Sequence, residues 1–188
     1  MTRKKILFYI NFDRSFTGGP RVVYNLVSKI DMERFHPVVV TNKPSELTEK
    51  LASLNREFVI LEQHRAIGED DGDAVRGGIV KRLSAMRHVL GYNRRFQTIL
   101  NQHKCDVLWV RNIKGVLLTG VAARRSKVPL IWDIGMEKTS RGFMRLLHNV
   151  GFRLATKVIT EGKCVATSIF TPSPVSYTHL TLPTTPYV

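Results

Sequence analysis

Two adjacent glycines and a proline, Gly18-Gly19-Pro20, stand between a short apolar run and a helical pattern. In that place the glycines let a phosphate or a sugar approach the backbone, and the helix that follows offers free N–H groups and a partial positive charge. Arg111 and Asp133 fall where two later apolar runs end. A guanidinium there can hold an anion, and a carboxylate can accept from a hydroxyl. A plainer reading stands beside each of these: Gly18 and Gly19 making only a tight turn, and Asp133 acting as a loop or cap residue.

These residues need strands and helices to bring them together. Lys5-Ile-Leu-Phe-Tyr-Ile10 has no polar alternation, the mark of a strand covered on both faces of a parallel sheet. From Pro20 the apolar residues Val22, Val23, Leu26, Val27 and Ile30 recur at helical spacing, with proline suited to a first turn. A second strand over His36–Thr41, a helix from Ser45 to Leu54 and a third strand over Glu57–Leu61 follow. The order β-α-β-α-β predicts the first half of a doubly wound sheet.

Glu62 to Gly78 reads as a solvated loop, and Asp70, Asp71 and Asp73 within it lack the remaining ligands of a calcium loop. No metal ligands are assigned. A long helix follows, with an apolar stripe of Ile79, Val80, Leu83, Met86, Leu90, Phe96, Ile99 and Leu100 and a kink placed at Gly91. Its other face carries Lys81, Arg82, Arg87, His88, Arg94 and Arg95, which reads either as a solvated face or as a rest on anionic lipid. Cys105–Val110 is the fourth strand, with Arg111 and Asn112 at its carboxyl end; Val116–Ala123 is a helix; Val128–Asp133 is the fifth strand. A helix from Phe143 to Leu154, a strand over Lys157–Thr160 and a helix over Cys164–Phe170 complete the pattern.

The opening Lys5-Ile-Leu-Phe, the loop, and Gly18-Gly19-Pro20-Arg21-Val22-Val23-Tyr24-Asn25-Leu26 resemble the start of the glycosyltransferase family 4 group of GT-B enzymes. The strand pattern fits the same template to about Phe170. The resemblance implies an α/β, Rossmann-like doubly wound parallel sheet forming one half of a GT-B fold, here the N-terminal, acceptor-side domain at residues 1–170. It implies an enzyme that moves a sugar from a nucleotide-sugar donor to a glycan or lipid-linked acceptor hydroxyl in cell-surface glycan synthesis, with retention of configuration and no metal or other cofactor. Gly18, Gly19 and Arg21 would then lie by the donor diphosphate. Arg111, Asp133 and Glu161 are the candidates for acceptor contacts, Glu161 because it stands in Thr160-Glu161-Gly162 where relatives place Ser-Glu. Trp132-Asp133 replaces a pair that carries histidine in many members, so no catalytic residue is assigned. Most donor contacts of such enzymes belong to a second domain, and this piece alone is expected to bind weakly and catalyse nothing.

Residues 171–188 lack acids, lysine and arginine and are rich in Ser, Thr and Pro. From Val175 they resemble a translated sequencing adapter; a natural disordered tail is the alternative.

The 188 residues suffice for one well-buried α/β domain. With 29 Lys plus Arg against 15 acids, the net charge of +14 admits phosphorylated ligands, an anionic membrane or nucleic acid as partners. A basic nucleic-acid-binding module is therefore the competing reading, although the cations are scattered and no recognised nucleic-acid motif occurs. Another Rossmann-like nucleotide-binding module is a further one; for a dinucleotide oxidoreductase the Gly-x-Gly-x-x-Gly loop is missing, and Thr41-Asn42 stand where a ribose-binding acid belongs. Two distant cysteines, Cys105 and Cys164, and an apolar N-terminal run of six residues fit a cytoplasmic protein, with the membrane's inner face as a peripheral location.

Overall fold

The computed structural model describes residues 3–11, 16–67, 79–135, 142–160, 162 and 165, with the backbone alone at 79–85 and 143. Six strands, β1 (Lys4–Ile10), β2 (Phe35–Thr41), β3 (Glu57–Ile60), β4 (Val107–Val110), β5 (Leu130–Ile134) and β6 (Lys157–Thr160), form one sheet in the order β3-β2-β1-β4-β5-β6. All five pairings are parallel. The connecting helices are α1 (Gly19–Lys29), α2 (Glu46–Ser53), α3 (Ile79–His103), α4 (Ile113–Arg125) and α5 (Phe143–Leu154), with a single 3-10 turn at Arg65–Ile67 before α3. The order reverses at β1. After β3 the chain returns to pair β4 on the other side of β1, which makes the β1/β4 boundary the topological switch point.

Both faces of the sheet are covered, which is why its strands lack polar alternation. On one face Phe8, Ile10, Val39 and Trp109 pack against Val23 and Val27 of α1 and Leu47 and Leu51 of α2. On the other, Leu7, Tyr9, Val40, Leu108, Val110 and Trp132 meet Tyr92, Phe96 and Leu100 of α3 and Val116 and Leu118 of α4. Each fully buried large side chain contributes about 1.5–3 kcal/mol. Asn93, 3 % exposed, joins the two helices of that second layer: its Nδ2 donates to Val89 O and Leu117 O, and its Oδ1 accepts from Ala122 N.

The structure shifts several expected positions. α3 is one continuous helix through Gly91, and its buried stripe runs over Tyr92, Phe96, Ile99 and Leu100. Met86 and Leu90, expected in that stripe, are 62 % and 52 % exposed. α4 is longer than the apolar run because Asn112 caps it, accepting from Gly115 N at 2.7 Å. α2 is closed at its start by Thr48, whose hydroxyl accepts from Ser45 N and donates to Ser45 O. The sixth strand stands where expected, whereas the helix placed at Cys164–Phe170, apart from Val165, and the loop acids Asp70, Asp71 and Asp73 lie outside the described residues.

Three helices end alike. Asn55, Lys104 and Lys127 each adopt positive φ, at 51°, 49° and 56°. In each case the next N–H reaches back five residues: Arg56 to Leu51 O, Cys105 to Leu100 O and Val128 to Ala123 O. This is the Schellman closure that glycine ordinarily serves, built here with L side chains.

Candidate functional site

Three strand ends meet at the switch point. After β1 the chain turns through Gly18, at φ 53°, into α1, whose N-terminus has no side-chain cap. Gly18 is exposed and Gly19 half-buried, so neither glycine is packed beneath another segment. A Cβ on Gly18 would meet nothing within 4 Å, and glycine is required there by its backbone conformation. A Cβ on Gly19 would stand 3.4 Å from Ile10 Cδ1 and 3.6 Å from Arg111 Cδ, an ordinary contact. The first turn of α1 thus presents the N–H groups of Gly19 and Arg21, Pro20 having none.

Arg111 follows β4 and lies beside that turn. Its Nη1 reaches Asp133 Oδ2 at 3.4 Å, with both side chains largely buried at 16 % and 12 % exposure. Asp133 is a strand residue in β5, not a loop or cap residue. Gly135, just past β5, completes the enclosure: a Cβ there would come within 2.7 Å of Arg111 Nη2. Four of the residues singled out in the sequence, Gly18, Gly19, Arg111 and Asp133, therefore gather at one sheet edge. Arg21 is exposed on the first turn of α1. Asn112, expected to face the crevice, has its amide oxygen engaged in the α4 cap. Glu161 lies outside the described residues.

Two asparagines at this edge were not among the site residues read from the sequence, Asn42 having been noted only as standing where a ribose-binding acid belongs. Asn11, directly after β1, is 3 % exposed, and its Nδ2 has no hydrogen-bond partner. Asn42, directly after β2 and half-buried, has an Oδ1 in the same condition. A polar residue ending each strand was the available signal, and it is a weak one because strand ends are commonly polar.

Below the crevice, Tyr9 Oη donates to Tyr92 Oη at 3.0 Å, and Tyr92 Oη to Leu61 O at 3.4 Å. Burial pushes Tyr92 up to about 12 and Tyr9 well above the ordinary tyrosine value, so both phenols stay neutral at physiological pH. Among the described residues no group of three or more His, Cys, Asp or Glu is placed to hold a metal, and no helix is long and apolar enough to cross a membrane. Cys105 is buried outside any disulfide, and its thiol is pushed up to about 11 chiefly by burial. A cleft of about 400 Å³ lies at the opposite edge of the sheet, lined by Arg124, Lys127 and Arg153. Those cations stand at or just beyond the ends of α4 and α5, where they complement the helix dipoles.

An all-parallel doubly wound sheet with a glycine corner after its first strand, and a charged pair between the ends of β4 and β5 beside its switch point, has the form of a Rossmann-like domain. No protein-family model matches the chain, and no curated protein matches it in sequence. Solved structures do match in fold. MurG of Acinetobacter baumannii superposes with a TM-score of 0.63 at 13 % identity, over 95 % of this chain and 45 % of that one. HepE of Anabaena, in complex with UDP and glucose, gives 0.58 at 14 %, over 89 % and 40 %. A glycosyltransferase from Rickettsia africae gives 0.64 at 10 %, over 89 % and 39 %. At such identities the shared property is the fold, and this chain spans less than half the length of each of these proteins.

Proposed function

We propose that this chain is the acceptor-side half of a GT-B glycosyltransferase, which transfers a sugar from a nucleotide-sugar to an acceptor hydroxyl. The observation that carries the reading is the switch-point crevice, where the α1 N-terminus at Gly18-Gly19 and the Arg111–Asp133 pair lie side by side. Its fold is that of one part of proteins solved with UDP and glucose, which supports a nucleotide-sugar as partner. In this reading Gly18, Gly19 and Arg21 face the donor diphosphate, and backbone N–H groups with the nearby guanidinium stabilise the departing negative charge. Asp133 holds Arg111 in place and accepts from an acceptor hydroxyl. Assignment to family 4, retention of configuration, independence of metals and a cytoplasmic site of action belong to the same proposal. So does a peripheral rest on anionic lipid through the exposed face of α3 that carries Met86, Arg87, Leu90 and Arg94.

The test is to extend the coding region downstream and assay the longer product for sugar transfer from UDP-sugars, with and without a chelator. Transfer that survives chelation, is lost in Arg111→Ala and is absent from the 188-residue chain alone supports the proposal. Salt-sensitive retention on duplex DNA without any nucleotide-sugar binding would replace it with the nucleic-acid reading.

A further inference from the structure

Two unpartnered amide groups at the sheet edge are complementary to one another. Ile10 pairs with Thr41 in the β1/β2 register, so Asn11 and Asn42 follow immediately from the last paired positions of neighbouring strands. Parallel strands run about 4.8 Å apart, which makes these two residues neighbours. One offers a donor, Asn11 Nδ2, and the other an acceptor, Asn42 Oδ1. The two atoms do not bond to each other. Leaving a buried polar group unsatisfied costs on the order of 1–3 kcal/mol, so a fold that leaves two side by side gains from a third group that satisfies both.

We propose that Asn11 and Asn42 read a ligand hydroxyl, which accepts from Asn11 Nδ2 and donates to Asn42 Oδ1. A hydroxyl fits because it is donor and acceptor on one atom; a phosphate oxygen would face the Asn42 oxygen with no proton to give, and an ammonium would face the Asn11 donor. The place fits as well. In doubly wound sheets the end of the second strand is where a side chain meets a ribose hydroxyl, and Asn42 follows that end on the carboxyl edge of the sheet, the edge at which α1 begins. The hydroxyl belongs either to the nucleotide's ribose or to a free sugar. This inference rests on the glycosyltransferase reading and adds the residues that select polyol ligands over plain anions.

The experiment is a titration of the isotope-labelled 188-residue chain with UDP, dUDP and methyl α-glucoside, followed by amide resonances in heteronuclear NMR. A shift of the Asn11 side-chain amide with UDP but not dUDP assigns the hydroxyl to ribose; a shift with the glucoside assigns it to a sugar. Either result supports the pair, and Asn42→Leu should then weaken that ligand about tenfold, the effect of one hydrogen bond to a buried partner. If UDP moves the backbone amides of Gly18 and Gly19 while all three probes leave the Asn11 side chain unmoved, a bound water satisfies the two amides and the pair is not a reader. If no probe moves any of these resonances, the pair is not a reader, while the glycosyltransferase reading is decided separately by the transfer assay on the downstream-extended product. The wild-type measurement needs no variant to fold.

Discussion

Arg111 and Asp133 form their 3.4 Å pair across neighbouring strand ends, so the guanidinium beside the glycine corner is held from β5. Because both side chains are largely buried, removing one takes from the other a charged neighbour in a poorly solvated place. Arg111→Ala and Asp133→Ala should each lower unfolding free energy by about 1–3 kcal/mol. The double variant should cost less than the sum, a coupling that urea denaturation of the four proteins measures directly.

Gly135 sets the position of that guanidinium. A methyl group there would stand 2.7 Å from Arg111 Nη2, the far end of a flexible side chain that can swing away. Gly135→Ala should therefore change stability by less than about 1 kcal/mol yet weaken UDP binding severalfold. Equal loss in both measurements would show that Gly135 serves packing alone.

The helix ends offer a gain in stability. Lys104 and Lys127 hold the left-handed conformation at a cost of about 1 kcal/mol each. Lys104→Gly and Lys127→Gly should each raise the unfolding free energy, measured in denaturant, by roughly 0.5–1 kcal/mol, since glycine adopts that conformation without strain.

Those same ends show what the sequence could and could not carry. Strands were legible because β1, β2 and β5 are buried on both faces and cannot tolerate alternation. The ends of α2 and α3 fall within a residue of their expected places, but the positive-φ closures at Asn55, Lys104 and Lys127 could not be read, since the usual glycine signal is absent there. The α3 stripe was misjudged because Met86 and Leu90 continue an apolar period that the fold leaves exposed. Gly18 and Gly19 were singled out as the loop before the first helix, and Arg111 and Asp133 through their places at strand ends. That Arg111 and Asp133 pair could not be read, because it depends on β4 and β5 being neighbours in space.

The buried tyrosine pair predicts an alkaline limb of stability. With Tyr92 pushed up from 10.0 to about 12 and Tyr9 also raised, the unfolded chain releases phenolic protons above pH 10 while the native state keeps them. Stability is therefore full below about pH 10 and falls as pH rises toward about 12, by up to roughly 1.4 kcal/mol per unit for each tyrosine. Tyr92→Phe should cost about 1 kcal/mol at neutral pH, by depriving the Tyr9 hydroxyl of its acceptor, and should flatten that limb. Denaturant midpoints measured from pH 8 to 11 check both statements.

The strand at the middle of the sheet is also the first of the six to be synthesised. β1 gains one neighbour when β2 emerges, but its other edge waits for β4, and the Lys5 N–Asp106 Oδ2 bond that anchors their start spans 101 residues. At ordinary elongation rates that is on the order of 5–20 s during which an apolar edge stands open in the cell. Synthesis halted before residue 107 should consequently yield a chain that chaperones retain or that aggregates, and release should wait until β5 has covered the far edge of β4 as well.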